Sequence, residues 1–294
     1  MLIPDRLRAL IDDGIVHSIV RPLKSGKEAS VFIVTVDDGM CAAKVYKEAE
    51  KRNFRQRQDY VEGRRVGDSR QQRAMTNGSR FGKKQSEAAW QTSESAAMHR
   101  LFPAGVRIPR PRQMSDGVLL MDLVLAANGE PAPQIATLRF SREEATRLHY
   151  QIVTQIARML CAGLVHADLS EYNILAAFDG PMIIDFPQAT DAARNTNAKR
   201  LLLRDVANIT RFFSRFAPEL RRTEYGQEMW LLHERTTLRP DTVLTGRFAA
   251  ARGVVDTELI LREIEAAKQE AAKREEIRQL REAKKRPPVG GSGR

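Results

Sequence analysis

The chain has 294 residues, of which 42% are hydrophobic, so it can bury a full core and wholesale disorder is excluded. It contains two cysteines, Cys41 and Cys161, without C-x-x-C spacing, which argues against a disulfide framework or a zinc site. No apolar run reaches the roughly 18 residues of a membrane span, and the N-terminus lacks the apolar region of a secretory signal. We therefore expect a cytoplasmic protein with no membrane partner.

The formal net charge is +11, and the surplus is concentrated in one segment. Residues 47–85 contain 12 Lys and Arg but 5 Asp and Glu, a net charge of +7. Such a concentration is typical of contact with a polyanion such as RNA or a ribosomal particle. A solubilising surface loop is the alternative. The segment is poor in pattern, so we predict a basic, flexible insertion.

The first predicted elements are a short helix and a β-hairpin, which turns at residues 37–39 and ends in a strand carrying Lys44. The small residues Ser25 and Gly26 precede the hairpin. Backbone N–H groups can approach phosphate oxygens only where side chains are small. These residues are therefore candidates for a phosphate cover, and Lys44 is a candidate phosphate ligand. A solvated strand lysine is the alternative.

A helix is predicted to begin near residue 86 and to end before Pro103. Glu94 lies about midway along it, where a carboxylate can pair with Lys44 and fix the ammonium over the phosphates. A solvated helix glutamate is the alternative interpretation.

A buried strand is predicted over residues 118–124. Backbone groups between Met121 and Leu123 are candidates for reading the edge of a nucleotide base. A plain core strand is equally compatible with this pattern.

A long helix is predicted from Ser141 to Leu160, because Ser141 and Glu144 form a capping box and Gly163 is a natural terminator. This helix leads into residues 164–175, around which the chain is organised.

The segment after this helix carries the residue types that a phosphoryl-transfer site requires. His166, Asp168 and Asn173 are followed by Asp185 at the end of a short apolar strand. Asp168 would accept the proton of the incoming hydroxyl, and Asn173 with Asp185 would hold Mg²⁺ on the nucleotide phosphates. Such catalysis depends on positioning and charge neutralisation. We expect His166 to brace the loop rather than to titrate.

Two further helices are predicted at about 199–216 and 224–234. Asp205 lies at the centre of the first, where a buried carboxylate often anchors the preceding loop, although an exposed position is equally compatible. Residues 257–285 predict a long, mostly solvated helix, and residues 287–294 predict a disordered tail.

Together these motifs resemble the RIO family of atypical serine protein kinases, nearer its first subfamily and of bacterial type. Residues 166–173, which read His-Ala-Asp-Leu-Ser-Glu-Tyr-Asn, are nearly the catalytic loop of that family. Residues 25–32, Ser-Gly-Lys-Glu-Ala-Ser-Val-Phe, look like its shortened nucleotide loop, which adds Lys27 and Ser30 to the candidate nucleotide ligands. The resemblance also includes the lysine strand 43–46, Trp90 followed by Glu94 and Leu101, and the metal-binding loop 184–188.

The resemblance implies an α+β, bilobal protein-kinase-like fold, with a small N-lobe of antiparallel sheet and helix and a mostly helical C-lobe. It implies ATP with Mg²⁺ (Mn²⁺ as an alternative) and serine/threonine kinase or ATPase activity, with a protein or the chain itself as substrate. Arg204 follows Asp185 by only 19 positions, so we expect a shortened activation and peptide-binding region. In related proteins the metal-binding aspartate can accept the phosphoryl group, which would make Asp185 the acceptor.

The predicted domain organisation follows from these elements. The N-lobe covers residues 1–121, with 47–85 as its insertion, and the C-lobe covers 122–235. Residues 236–256 form a connector, and 257–294 form the basic helix and tail.

Two alternative functions stay open at this stage. A small-molecule kinase of the aminoglycoside or choline type shares a His–Asp–Asn loop, but Ala167 and Ser170 depart from its usual pattern and the chain is basic. A nucleotide-regulated RNA-binding or ribosome-assembly factor would use the basic segments, with phosphoryl transfer as a secondary activity.

Overall fold

The computed structural model describes residues 3–26, 28–47 and 93–248. The chain divides into two compact units, Met1–Phe248 and Ala249–Arg294. Several predicted features lie outside the described residues. These are Lys27, Trp90, nearly all of the basic insertion, the end of the connector, and the C-terminal helix and tail.

The N-terminal half is built on a five-stranded antiparallel sheet, in the order β1-β2-β3-β5-β4. Its strands are β1 (Ser18–Ser25), β2 (Ala29–Val36), β3 (Gly39–Tyr46), β4 (Pro111–Ser115) and β5 (Val118–Asp122). The predicted hairpin is the β2–β3 pair. Strand β4 was not predicted from the sequence, and it forms by antiparallel pairing with β5.

The two faces of this sheet are covered by different helices. Helix α1 (Asp5–Asp12) buries Leu7 and Leu10 on one face, in a core with Ala43 and Val45. Helix α2, described over residues 93–101, packs on the other face with Tyr46. Successive side chains of a strand point to opposite faces, so β3 directs Lys44 and Tyr46 towards α2.

The C-terminal half is mostly helical. Ser141 and Glu144 form the predicted capping box, in which each residue bonds the backbone N–H of the other. The elements in order are α3 (Arg142–Cys161), β6 (Leu164–Val165), β7 (Ile174–Ala177), β8 (Gly180–Ile183), β9 (Thr190–Asp191), α4 (Ala198–Phe213) and α5 (Tyr225–Glu234).

Two antiparallel strand pairs, β6–β9 and β7–β8, lie in the segment between α3 and α4. A 3-10 turn lies at Ile135–Thr137, between β5 and α3. The lobe limits near residue 121 stay a prediction. Within the described part of the chain, no helix is both long and apolar enough to cross a bilayer.

Candidate active site

The centre of the site is a buried ion-pair cluster around Lys44. Its Nζ donates to Glu94 Oε1 at 2.7 Å and Oε2 at 2.8 Å, and to Asp185 Oδ1 at 2.7 Å. Lys44 is 8% exposed and Glu94 is 1% exposed. The structure therefore brings these predicted residues together and excludes the solvated-face alternatives for both Lys44 and Glu94.

The ionised forms of Lys44 and Asp185 stabilise each other in this cluster. Burial lowers the pKa of Lys44, but the carboxylates of Glu94 and Asp185 outweigh it and raise that pKa above its ordinary value. Burial also opposes ionisation of Asp185, yet the ion pair and hydrogen bond with Lys44 hold the pKa of Asp185 below its ordinary value. At neutral pH the cluster therefore contains the Lys44 cation, which incoming phosphates can bind, and at least one carboxylate, which a metal ion can bind.

Glu94 is fixed by two groups that sequence reasoning did not single out. The hydroxyl of Tyr46 donates to Glu94 Oε2, and the backbone N–H of Phe186 donates to Glu94 Oε1 at 3.2 Å. The signal for Tyr46 was present, since it lies two positions after Lys44 and shares its face of β3. No local pattern marks the N–H of Phe186, because that contact joins residues 92 positions apart.

The catalytic-loop candidate is anchored by the side chain of Asp205 in α4. Its carboxylate accepts from the N–H of Ala167 at 2.7 Å and of Leu169 at 3.1 Å, and it is 1% exposed. Asn208 Nδ2 also donates to Leu169 O at 3.1 Å. Of the two interpretations of Asp205, the buried anchor is confirmed. Burial raises the pKa of Asp205 to about 7, although both backbone bonds favour the charged form.

His166 braces the loop rather than acting on a ligand. Its Nε2 lies 3.2 Å from Ile184 O, and its ring packs against Phe186 with centroids 5.0 Å apart. Burial lowers the pKa of His166 to about 4, so the ring is neutral at pH 7 and Nε2 can donate to that carbonyl. This geometry agrees with the predicted bracing role.

Hydrogen bonds to backbone carbonyls link the segments that carry Asp168, Asn173 and Asp185 where the loop leads into β7. Asn173 Nδ2 donates to Asp168 O at 2.8 Å, and the N–H of Ile184, the neighbour of Asp185, donates to Asn173 O at 3.0 Å. Partial burial raises the pKa of Asp168, although Arg204 opposes the shift.

Two non-glycine residues at this point have left-handed backbone, Ala167 with φ 64° and Asp185 with φ 74°. Strain of this kind persists where surrounding contacts hold it, often at functional sites. Here the contacts are the Asp205 anchor on Ala167 and the Lys44 ion pair on Asp185.

A cleft of about 490 Å³ is bordered by Lys44, Glu94, Asn173 and Asp185, whereas Asp168 is not among the residues that line it. The lining combines apolar side chains with the charged cluster around Lys44. Its apolar lining includes Val31, Ala42, Leu175 and Ile184, to which the sequence assigned no ligand-binding role of their own. Among the predicted site residues, the cleft is lined by Gly26, Lys44, Glu94, Met121, Leu123, Asn173 and Asp185. An apolar slot with convergent charges is typical of a nucleotide-sized ligand site.

The predicted phosphate cover lies at the N-lobe side of the cleft. Ser25 and Ser30 face each other across β1 and β2, with their hydroxyl oxygens 3.1 Å apart. Lys47 Nζ donates to Gly26 O at 2.6 Å and ties the turn to the end of β3. Lys27 lies outside the described residues.

The donor set suits a metal ion that arrives with phosphates. Asn173 and Asp185 supply an amide oxygen and a carboxylate, and Mg²⁺ is usually bound by one or two carboxylates together with substrate phosphates. In residues 3–26, 28–47 and 93–248, no group of three His, Cys, Asp or Glu side chains is arranged to hold a metal on its own. These residues therefore fit a nucleotide-borne Mg²⁺ better than a permanent metal centre.

Comparison with known protein families gives one match that covers most of the described chain. The RIO domain model matches residues 30–225. This region contains the lysine strand, the catalytic-loop candidate and the first helix beyond it.

Relatives in archaea and eukaryotes align over the same part. The chain is 35% identical over 208 residues to the RIO-type serine/threonine-protein kinase Rio1 of Haloferax volcanii, covering 70% of this chain and 67% of the relative. It is 30% identical over 208 residues to the human serine/threonine-protein kinase RIO1, covering 70% of this chain but 35% of that relative. The chain thus spans only about a third of the human protein.

A solved structure shares the fold. The Rio2 kinase–ADP/Mg²⁺–phosphoaspartate complex from Chaetomium thermophilum superposes with a TM-score of 0.52 at 25% identity, covering 71% of this chain and 59% of the other. The predicted bilobal kinase-like fold is therefore confirmed.

Proposed function

Because the chain belongs to the RIO family, we propose that it is an ATP- and Mg²⁺-dependent serine/threonine protein kinase that phosphorylates a protein substrate or itself. The matched relatives are named as serine/threonine-protein kinases, and the Rio2 structure is named as a complex with ADP and Mg²⁺. In this chain the proposal rests on one observation, the Lys44 ammonium held between Glu94 and Asp185 in the lining of the cleft.

Each residue of the cluster has a role in this proposal. Lys44 binds the α- and β-phosphates, while Glu94 and Tyr46 keep its ammonium in place. Asn173 and Asp185 hold the metal ion. When bound, Mg²⁺ neutralises charge that develops on the transferred phosphoryl group.

Asp168 acts on the acceptor. Its carboxylate orients the incoming hydroxyl by accepting its hydrogen bond, and then accepts its proton. The pKa of Asp168 is raised by partial burial, which makes it a better base than an exposed aspartate.

The remaining predicted residues hold the nucleotide. Backbone groups at Ser25, Gly26, Lys27 and Ser30 cover the phosphates, because the small side chains allow close approach. Backbone groups of Met121 and Leu123 bind the base edge. Their position in the cleft lining supports this assignment.

Partners beyond ATP and a protein substrate are proposed on charge alone. The basic segment 47–85 makes RNA or a ribosomal particle a predicted partner, and it lies almost wholly outside the described residues. The family matches do not favour the small-molecule kinase alternative.

The proposal is tested by incubating the pure protein with γ-labelled ATP and Mg²⁺. We expect Asp168→Asn to lower label incorporation at least about 100-fold, because the hydroxyl loses its base. Asp12→Asn, the same change on the exposed surface of α1, is the matched control and should retain full incorporation. A chelator should stop the reaction.

The label also identifies the acceptor. The related Rio2 structure is named as a phosphoaspartate complex, and label that hydroxylamine removes would place an acyl phosphate on Asp185. Label that resists hydroxylamine indicates serine. Hydroxylamine-resistant label that is undiminished in Asp168→Asn, or any label that persists without divalent metal, contradicts the proposal.

A further inference from the structure

One exposed face of α4 carries a row of arginines. Arg200, Arg204 and Arg211 lie on the helix and Arg215 lies two positions past its end at Phe213, and all four are exposed. At 100° per residue the three helical arginines fall within about 40° of one another around the helix axis. We call these four residues the arginine stripe. The opposite face of α4 is buried in the C-lobe core, so the stripe is the outward side of the helix.

The arginine stripe is attached to the loop that carries Asp168. Arg204 Nη2 donates to the carbonyl of Ala167, and Arg215 Nη2 donates to Glu171 Oε1 at 3.3 Å. Together with the Asp205 bonds to the same loop, these contacts place Asp168 beside the stripe. A guanidinium carries five N–H donors in a planar fork, so arginines bonded to the loop can still engage a ligand.

Because only a short segment connects Asp185 to α4, the arginine stripe lies close to the place where Asp168 would hold the acceptor hydroxyl. Residues 186–197 contain only the two-residue strand β9 and turns before α4 begins. The helical part of the stripe, from Arg200 to Arg211, is about 16 Å long, because eleven positions of helix rise about 1.5 Å each. An extended peptide covers that length with about five residues.

We propose that the arginine stripe binds acidic side chains that flank the acceptor hydroxyl, so that the protein substrate is an acidic segment. The inference rests on the proposed kinase function, since it takes Asp168 as the place where the hydroxyl lies. Arginine pairs with carboxylates through two parallel hydrogen bonds, which gives both attraction and register.

The local charges favour a peptide over a nucleic acid. The carboxylates of Asp168 and Glu171 interrupt the positive face beside the loop. A continuous phosphate backbone would meet both negative groups. An acidic peptide presents discrete carboxylates to the arginines and a neutral hydroxyl to Asp168.

The test compares two peptides of equal length on the full chain. One has glutamates on both sides of the acceptor position and the other has glutamines there. The acceptor serine is replaced by alanine, so that binding is measured without turnover. We expect the glutamate peptide to bind at least about tenfold more tightly, with an advantage that shrinks as salt is raised.

A stripe variant and a control variant distinguish binding at the arginine stripe from attraction to the overall positive charge of the protein. Arg200→Glu combined with Arg211→Glu should abolish the preference, since it reverses two of the four charges of the stripe and keeps Arg204, which bonds Ala167. The matched control is Arg8→Glu on the exposed face of α1, which should keep the preference. Arg211→Lys should keep part of it, because the charge remains but the fork is lost.

Equal binding of the two peptides by the unaltered protein overturns the proposal, as does a preference that survives in the double variant. A variant that loses binding of a single-stranded RNA oligonucleotide but keeps the peptide preference also overturns it, in favour of a nucleic-acid surface. ATP hydrolysis in the same samples tests the kinase function separately, because the peptides report binding alone.

Discussion

At the scale of single residues, the site depends on one buried carboxylate. Glu94 is 1% exposed and accepts from Lys44, Tyr46 and the N–H of Phe186. A buried carboxylate that loses a partner retains its desolvation cost. The donors around Glu94 therefore fix its position, and through it the position of the Lys44 ammonium.

The hydroxyl of Tyr46 tests this dependence without removing a charge. We expect Tyr46→Phe to lower the free energy of unfolding by about 1–3 kcal/mol, because Glu94 loses a buried hydrogen bond. ATP turnover should fall several-fold, since Glu94 and Lys44 are less well held. Both are measured on purified protein, by denaturant unfolding and by steady-state hydrolysis.

The control for this variant is Tyr150→Phe in α3, which removes the same atom away from the cluster. Its turnover should match that of the unaltered protein. If Tyr46→Phe behaves like Tyr150→Phe in both measurements, Tyr46 has no positioning role.

At the scale of secondary-structure elements, α4 is the support of the catalytic-loop candidate. Its Asp205 and Asn208 bond the backbone of Ala167 and Leu169, and its exposed side carries the arginine stripe, of which Arg204 also bonds Ala167. One helix thus fixes the loop from within and presents a charged surface outside. A shift of α4 would move the loop and the surface together.

This support should depend on pH through Asp205. Its pKa is about 7 in the folded protein because of burial, against 3.8 for an unperturbed carboxyl. The folded state therefore keeps a proton that the unfolded chain releases between these values. The stabilisation is complete below pH 3.8 and is lost as the pH rises towards 7.

We expect the unfolding free energy of the unaltered protein, minus that of Asp205→Asn, to decrease by about 3 kcal/mol between pH 5 and pH 8. Asparagine keeps the shape and an acceptor oxygen but does not titrate. Denaturant titrations at four pH values measure the difference, and groups common to both proteins cancel. A constant difference would show that Asp205 is ionised throughout this range.

At the scale of the whole molecule, the C-terminal half contains two buried neutral histidines. His149 of α3 lies with Nε2 2.9 Å from Thr210 Oγ1 and packs beside Phe213. Burial lowers the pKa of His149 to about 4, as it does for His166. Each histidine gains a proton on unfolding at a pH between about 4 and 6.5, so acid should weaken this half.

His149→Gln should flatten that acid dependence. A depressed histidine pKa stabilises the fold fully above pH 6.5, and the stabilisation is lost as the pH falls towards 4. One such group contributes a slope of about 1.4 kcal/mol per pH unit. We expect the variant to lose about this slope between pH 6 and pH 4.5, measured by denaturant unfolding.

The control is His99→Gln, at an exposed position of α2. It should leave the slope unchanged. An unchanged slope in His149→Gln would instead mean that His149 is protonated, or open to water, in the folded protein.

Much of the site was predictable because its residues form local patterns. Asp168 and Asn173 lie five positions apart in one loop, and Asp185 ends the next apolar strand, so spacing along the chain was informative. The hairpin, the capping box at Ser141 and the long helix α3 follow from turn, cap and periodicity signals in the same way.

Three of the alternatives that the sequence left open concerned whether a side chain is buried or exposed. Whether Lys44, Glu94 and Asp205 face water or the interior depends on which distant element covers them, and no local pattern contains that information. The same holds for strand β4, which exists because β5 offers it a partner. Tertiary contacts decided each of these.

The sequence by itself determined the order of the chemical groups, the family and most of the elements, because these are encoded in short spacings. Only the tertiary structure decided that Lys44 bridges two carboxylates, that Tyr46 and Phe186 hold Glu94, and that the arginine stripe lies beside Asp168. These contacts join residues from 37 to 141 positions apart. Separations of that size are closed by packing of the core, which no short stretch of sequence specifies.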